Sequence, residues 1–338
     1  MRRIRFCHNT GEPLLRQTPG SSGIWNDCQF VPEDDGGECD WVVVFEGMDE
    51  GVHTHCPQDN TIFITGEPSS IRSYNPAFLN QFGLIVTTQP EIMGKRVRHQ
   101  QVAINWRIGL DNGTRAALMS FDDLAAMRDV PKPRLLSVIC SSKRLTPGHE
   151  LRLDFVDRLV KHFGSDIDLF GTEFNYIADK GDAIVPYKYH IAIENSVYLH
   201  YWTEKLADAF LGFAYPIYYG CPNVSDYFPE GSLTAIDITQ PEAALRTIEA
   251  TMADGTCEKS FDKIVEARKL VLYQYNLFAV IAELTSHAAS GLRKKLVEIK
   301  PEAEFKECES MRLRTRRIVK RALGLFLRKF RKVSDSNQ

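Results

Sequence analysis

Tyr187-Lys-Tyr-His-Ile-Ala-Ile-Glu-Asn-Ser196, Tyr201-Trp-Thr-Glu-Lys-Leu-Ala-Asp-Ala-Phe210 and Tyr215-Pro-Ile-Tyr-Tyr-Gly-Cys-Pro-Asn223 follow one another with short gaps. The first run is rich in aromatic and β-branched residues and reads as a strand that ends in two polar groups, Glu194 and Asn195. In the second, Thr203 is a good N-cap and Leu206, Ala209 and Phe210 supply the buried stripe of a helix. Gly212 stands where that helix should stop. The third run is again a strand. Strand, loop, helix, strand is the repeating unit of a parallel sheet. A helix that starts at the carboxyl end of such a strand presents free N–H groups and a positive dipole end, which suits an anion such as phosphate. Lys205 lies in the first turn of that helix, the unfavourable end for a cation unless an anion is there too. The dipole effect is only about 0.3–1 kcal/mol. Local reasoning therefore leaves two readings open, a phosphate ligand or a surface lysine with its head in water. Glu204 alone reads as a first-turn acid that stabilises the helix.

Working outward, the same alternation covers the chain. Upstream lie the apolar run Leu135–Cys140, a helix near His149–Phe163 with Leu151, Phe155, Leu159 and Val160 at helical spacing, and a strand at Ile167–Gly171. Downstream are a strand at Leu233–Ile238 and helices near Gln240–Met252 and Ser260–His287. The first half offers strands at Ile4–Cys7, Trp41–Phe45, Thr61–Thr65 and Leu84–Thr88, with helices near Ile71–Phe82 and Phe121–Arg128. Between the halves, Asp129-Val-Pro-Lys-Pro-Arg134 disfavours helix and suits an extended connector. The expected organisation is an N-terminal domain over residues 1–132, a second domain over 133–290 and a C-terminal helical segment over 291–338. Two such α/β units place a ligand in the cleft between them, at the carboxyl ends of strands.

Composition narrows the function. The 338 residues are 43% hydrophobic and 25% charged, and no run of about twenty apolar residues suggests a spanning helix. The basic start, Met-Arg-Arg-Ile-Arg-Phe-Cys, has no apolar signal stretch behind it. Eight cysteines stand apart, none in a Cys-x-x-Cys pair, so reduced thiols in a cytosol are expected. His53, His55 and Cys56 read as a polar loop rather than a metal site, since no fourth ligand is in view. Asp166-Ile-Asp168 looks like a metal-holding Asp-x-Asp, but it leads into the starting end of a strand, away from the cleft, and is read as structural. With no phosphate-loop lysine motif and no Gly-x-Gly-x-x-Gly, ATP hydrolysis and NAD chemistry are poorly supported.

Charge is uneven. Residues 311–338 hold ten Lys/Arg against one Asp, so with the whole chain at −3 the preceding 310 residues stand at −12. Over 312–332, Val319, Ala322, Leu323, Phe326 and Phe330 fall at helical spacing among the basic residues. That is a basic amphipathic helix suited to an anionic membrane surface. A packed helix, a solubilising tail and a nucleic-acid arm are the other readings. The acidic body and the lack of a nucleic-acid motif argue against the last, so no nucleic-acid partner is expected.

The three opening runs resemble the signature of glycosyltransferase family 10, the α1,3/1,4-fucosyltransferases, of bacterial type. The family pattern appears as Tyr187-Lys188-Tyr189, Glu194-Asn195-Ser196, Tyr201-Trp202-Thr203-Glu204-Lys205 and Pro216-Ile217-Tyr218-Tyr219-Gly220-Cys221-Pro222. The likeness covers most of residues 135–240 and is thin in the first half. Ile193, His200 and Trp202 depart from residues common in the family.

The resemblance implies a GT-B fold, two Rossmann-like domains facing a central cleft. It implies an inverting transfer of L-fucose from GDP-β-L-fucose to a glycan hydroxyl, with α1,3 linkage to an N-acetylglucosamine-type residue. By the same resemblance Arg152, Asn195, Tyr201 and Lys205 contact the diphosphate and Glu204 the ribose, with Lys188 and Glu194 as further site residues. Thr65-Gly66-Glu67-Pro68 matches the family's Thr-Gly-Glu, whose glutamate is a proposed general base, whereas the local reading of Glu67 is a turn acid. No cofactor is required by that scheme, and a divalent metal is expected at most to stimulate. The implied partners are a surface glycan or lipopolysaccharide-type acceptor and, through 312–332, the inner face of the cytoplasmic membrane. A transferase for another GDP-sugar, or a catalytically silent membrane-associated carbohydrate-binding protein, are the alternatives.

Overall fold

The computed structural model describes residues 1–32, 37–128, 130–286 and 292–305. The expected basic helix at 312–332 lies outside the described residues.

In the first half the strands are β1 (Arg2–His8), β2 (Ile24–Trp25), β3 (Cys28–Val31), β4 (Trp41–Phe45), β5 (Val52–Cys56), β6 (Thr61–Ile64), β7 (Leu84–Thr87) and β8 (Val97–His99). Seven of them form a sheet in the order β2-β3-β1-β4-β6-β7-β8, parallel except where the short β2 pairs antiparallel with β3. Every residue of β4 and of β6 is buried, as expected for central strands covered on both faces. The helices are α1 (Pro76–Leu79) and α2 (Phe121–Ala126). α1 is much shorter than the expected 71–82. Pro76 cannot continue a helix from before it, and Asn75, in extended conformation, caps the new start by accepting from the Ala77 N–H. α2 starts on a capping box, in which Ser120 and Asp123 satisfy each other's backbone N–H groups.

The second sheet contains β9 (Arg134–Ile139), β10 (Ile167–Phe170), β11 (Tyr187–Ile193), β12 (Tyr215–Tyr219) and β13 (Thr234–Ala235), in the order β10-β9-β11-β12-β13, with every pairing parallel. Its helices are α3 (Pro147–Phe163), α4 (Glu204–Leu211), α5 (Pro241–Ala253), α6 (Thr256–Lys259) and α7 (Phe261–Lys269). The helix expected over 260–287 is broken. A π-helical turn at Leu270–Gln274 follows α7, and α8 (Leu277–Leu284) restarts on Asn276, whose side chain accepts from the Phe278 N–H. Asn276 also donates to the Gln17 carbonyl at 2.9 Å. Through that break the chain returns to the first sheet. Phe278 packs edge-on to Phe30 and Phe6, with ring centroids 4.7 and 5.4 Å apart.

β14 (Lys295–Ile299) pairs antiparallel with β5. This strand pair corrects the loop expected at 53–56: Val52, Thr54 and Cys56 point inward, whereas His53 and His55 lie on the exposed face and cannot converge with Cys56 on a metal. The seven cysteines among the described residues are all buried free thiols. Among the described residues no helix is long and apolar enough to cross a membrane. The molecule is α/β with two parallel sheets whose strand ends face one cleft, the GT-B arrangement.

Candidate active site

The cleft has a volume of about 440 Å³, and its walls bring together Glu67, Arg152, Asn195, Tyr201, Glu204 and Lys205. On the wall of the second sheet the arrangement begins with Glu194, which directly follows β11 with only 1% of its surface exposed. Its carboxylate accepts from the Thr203 N–H at 2.8 Å and from the Thr203 hydroxyl at 2.8–2.9 Å, so it fixes the N-cap of α4. Lys205 Nζ lies 3.2 Å from Glu194 Oε2 and 3.5 Å from Glu204 Oε1. Burial works against the Lys205 charge, but the two glutamates outweigh it and hold the ammonium protonated above the ordinary lysine range. Glu204 also receives Lys180 Nζ at 3.2 Å. Burial alone would raise its carboxyl, yet Lys205, Lys180 and Arg107 pull it well below the usual carboxylate range.

Arg152 projects from the first turns of α3 and is 5% exposed. Its Nη2 donates to the Ser141 carbonyl and hydroxyl at 3.3 and 3.1 Å, while its Nε has no partner among the described residues. A buried guanidinium with an unused donor on a cavity wall is a ready anion ligand. Gly148 lets α3 come this close, because a Cβ there would stand 2.0 Å from the Asn195 carbonyl oxygen. The Tyr201 hydroxyl donates to Asn195 Oδ1 at 3.0 Å, which fixes both side chains at the mouth of the α4 helix. Lys188 is not brought to this cleft. It is the second residue of β11, far from the strand's carboxyl end, and its Nζ pairs with Glu258 at 2.6 Å. The Asp-x-Asp is likewise remote in role: Asp168 accepts from Arg134 Nη1 at 3.0 Å and from the Tyr187 hydroxyl at 2.7 Å.

The first sheet supplies the facing wall. Glu67 follows β6, and burial raises its carboxyl against the pull of Lys205. No side chain among the described residues bonds its carboxylate. The loops of the two walls touch, with Ser70 Oγ 2.7 Å from Ser196 Oγ and Ser69 Oγ donating to the Tyr198 hydroxyl at 3.2 Å. Glu67 and Asn195 therefore stand on two loops that are bonded to each other.

Several cleft residues have no counterpart in the sequence reading: Glu46, Arg107, Lys143, His149, Lys180 and Asp208. His149, 4% exposed, has Nδ1 2.7 Å from the Thr146 hydroxyl. Burial and then the neighbouring Arg152, Lys143 and Lys205 lower its pKa, which favours the neutral ring among these cations. Arg107 bonds Glu12 through Nη1, and its N–H donates to Asp208 Oδ1 at 3.1 Å. Only Glu46 carried a usable signal, as a polar residue at the carboxyl end of an apolar strand. Trp202, a departure from the family, is buried and packs edge-on to Phe228 with centroids 4.8 Å apart.

Residues 131–254 match the model of glycosyltransferase family 10 (fucosyltransferase), C-terminal part. Among solved structures the chain is similar to an α1,3-fucosyltransferase with GDP, at 18% identity over 82% of this chain and 92% of that one, with a TM-score of 0.46. An α1,3-fucosyltransferase with GDP-fucose gives 17% identity over 81% and 92%, with a TM-score of 0.44. TarM gives 9% identity over 84% and 54%, with a TM-score of 0.41. No curated protein sequence matches. The cleft wall at the head of α4 thus lies within the stretch, residues 131–254, that matches glycosyltransferase family 10, the fucosyltransferases.

Proposed function

We propose that this glycosyltransferase transfers L-fucose from GDP-β-L-fucose to a hydroxyl of a glycan acceptor, with inversion at the anomeric carbon. The observation that carries this reading is the pairing of a cationic corner, Arg152 with its unused Nε and Lys205 at the head of α4, with Glu67 across the same cleft. In the proposed step Glu67 takes the proton of the acceptor hydroxyl as that oxygen attacks the anomeric carbon. The bond from that carbon to the phosphate oxygen breaks, and GDP leaves with the electron pair. A positioned base contributes about 10²–10⁴-fold. The charge growing on the diphosphate meets Arg152, Lys205 and the positive end of the α4 dipole. Asn195 and Tyr201 border the phosphates and Glu204 accepts from the ribose hydroxyls. The scheme routes no step through a metal, and stimulation by a divalent ion is open to test by adding manganese.

The acceptor we assign is an N-acetylglucosamine-type surface glycan, modified in α1,3 linkage. The basic segment 312–332 would hold the enzyme on the inner face of the cytoplasmic membrane, at about 1 kcal/mol per basic residue near an anionic surface. Deleting 311–338 should abolish sedimentation with phosphatidylserine vesicles and leave transfer in solution; equal sedimentation of both proteins would refute the membrane role.

The reaction is tested by GDP release from GDP-fucose with and without N-acetyllactosamine, for the wild type and Glu67→Ala. Acceptor-dependent release that collapses in the variant is the expected result, with an α-linked product by NMR. Turnover of GDP-mannose but not GDP-fucose would overturn the donor, and equal release by both proteins would remove Glu67 as the base.

A further inference from the structure

We propose that Glu46 holds the acceptor, its carboxyl hydrogen-bonding a sugar hydroxyl next to the one that Glu67 deprotonates. This rests on the transfer reading above and adds a substrate contact on the side of the cleft for which the family pattern names only the base.

Glu46 directly follows β4, and its N–H donates to the Ile64 carbonyl at 2.9 Å, so its backbone is locked to the strand that leads to Glu67. Its φ is +62°, a conformation that costs a non-glycine residue energy and persists only where the surroundings enforce it. Its side chain lies across Gly66: a Cβ on that residue would stand 2.3 Å from Glu46 Oε1 and 2.4 Å from its Cγ and Cδ. The glycine of the Thr-Gly-Glu turn thus leaves the space that the Glu46 carboxyl fills, one residue away from Glu67.

The carboxyl has no hydrogen-bond or ion-pair partner among the described residues, although it lines the same cleft as Glu67. A half-buried carboxyl without a protein partner, at a strained position beside the base, is supplied with everything except a ligand. Burial and then the neighbouring Glu67 raise its pKa to about 7, with Glu12 adding and Arg107 and Arg72 opposing. The Tyr74 phenol is the other titratable group beside it, itself raised by burial. Burial raises the Glu67 carboxyl as well, so a second negative charge beside it is disfavoured. A protonated Glu46 both donates to and accepts from vicinal sugar hydroxyls, and it adds no second negative charge next to the base. An acceptor hydroxyl group held at that point is presented to Glu67 and to the anomeric carbon together.

The test is steady-state transfer from GDP-fucose to N-acetyllactosamine by the full chain, for the wild type, Glu46→Ala and Glu46→Gln, with thermal unfolding to verify folding. Glu46→Ala should raise the acceptor KM about tenfold, the loss expected for one or two hydrogen bonds, with the donor KM changed less than about twofold. Glu46→Gln, which imitates the protonated carboxyl, should recover most of that loss. Its acceptor KM should stay flat from pH 6 to 8, where that of the wild type rises as Glu46 ionises. An unchanged acceptor KM in Glu46→Ala, or a loss confined to the donor KM, would overturn the inference and leave the transfer reading intact. Wild-type protein that releases no GDP with any sugar acceptor would overturn both.

Discussion

Nζ of Lys205 lies 3.2 Å from Oε2 of Glu194, a carboxylate with no side-chain surface exposed. The same carboxylate takes the N–H and the hydroxyl of Thr203. One buried group therefore sets both the head of α4 and the cation placed there. Lys205→Met should weaken GDP binding by tenfold or more, because it removes a charge from a half-buried anion site. Glu194→Ala should cost about 3–5 kcal/mol of stability by leaving a buried pair broken. Glu194→Gln keeps the shape and removes the charge, so it should lie between them, with weaker GDP binding and a smaller loss of stability. Titration calorimetry with GDP and urea unfolding measure the two effects. Unchanged GDP affinity in Glu194→Gln would show that Glu194 does not position Lys205.

Gly66→Ala places a methyl where the Glu46 carboxyl lies, 2.3 Å from Oε1. The obstacle is the far end of a flexible side chain, so the domain should fold with a loss of about 1–3 kcal/mol. Transfer should fall at least about tenfold. If the loss arises from displacing Glu46, the double variant Gly66→Ala/Glu46→Ala should be no worse in acceptor KM than either single one. Additive losses would mean that Gly66 acts through some other group.

The pH dependence of transfer follows from Glu67. Burial raises its carboxyl above the ordinary 4.5, so the base becomes protonated, and activity is lost, at a pH above that value as the solution is acidified. The acid limb of kcat/KM should therefore lie above 4.5 and disappear in Glu67→Gln along with about 10²–10⁴-fold of rate. The same shift acts on stability in the opposite sense. A carboxyl with a raised folded pKa binds its proton more tightly when folded, so stability falls as pH rises through that pKa. Glu67→Gln should then be at least as stable as the wild type at pH 7. A lower melting temperature for the variant would contradict burial as the cause.

The sheet strands that the chain declares by composition are the ones the structure contains at its centre. Trp41–Phe45, Thr61–Ile64 and Tyr187–Ile193 are buried on both faces, so their apolar runs are unmistakable. Thr203 and Gly212 bracket α4 as read, because caps act locally. The alternation of Val52, His53, Thr54, His55 and Cys56 is a strand signal too, but β14, the partner that makes sense of it, is more than two hundred residues away. The break before α8 was illegible because the apolar pattern runs through it. What turns the chain there is tertiary: Asn276 donates to the Gln17 carbonyl and bridges to Ile104. Arg107 and Lys180 reach the cleft from irregular backbone and a short 3₁₀ turn, where no periodicity marks which side chains point inward.

His190 sits in the middle of β11 at 3% exposure, with Nδ1 2.8 Å from the Ser137 hydroxyl. Burial, and then Lys180 and Lys132, push its pKa down to about 3. In the unfolded chain the ring titrates near 6.5, roughly the free value. Between those two values the unfolded chain binds a proton that the folded protein refuses. Stability is thus full above about pH 6.5 and declines as pH falls toward 3, by about 1.4 kcal/mol per pH unit. His190→Gln cannot titrate, yet its amide can still meet Ser137, so it should remove this slope at a cost of about 1 kcal/mol at neutral pH. Urea unfolding at pH 7.5, 6.5 and 5.5 should show the wild-type midpoint falling faster than the variant's below 6.5. If the two midpoints fall in parallel, or the His190 ring titrates near 6.5 by NMR, the buried neutral histidine is not the source of the acid sensitivity.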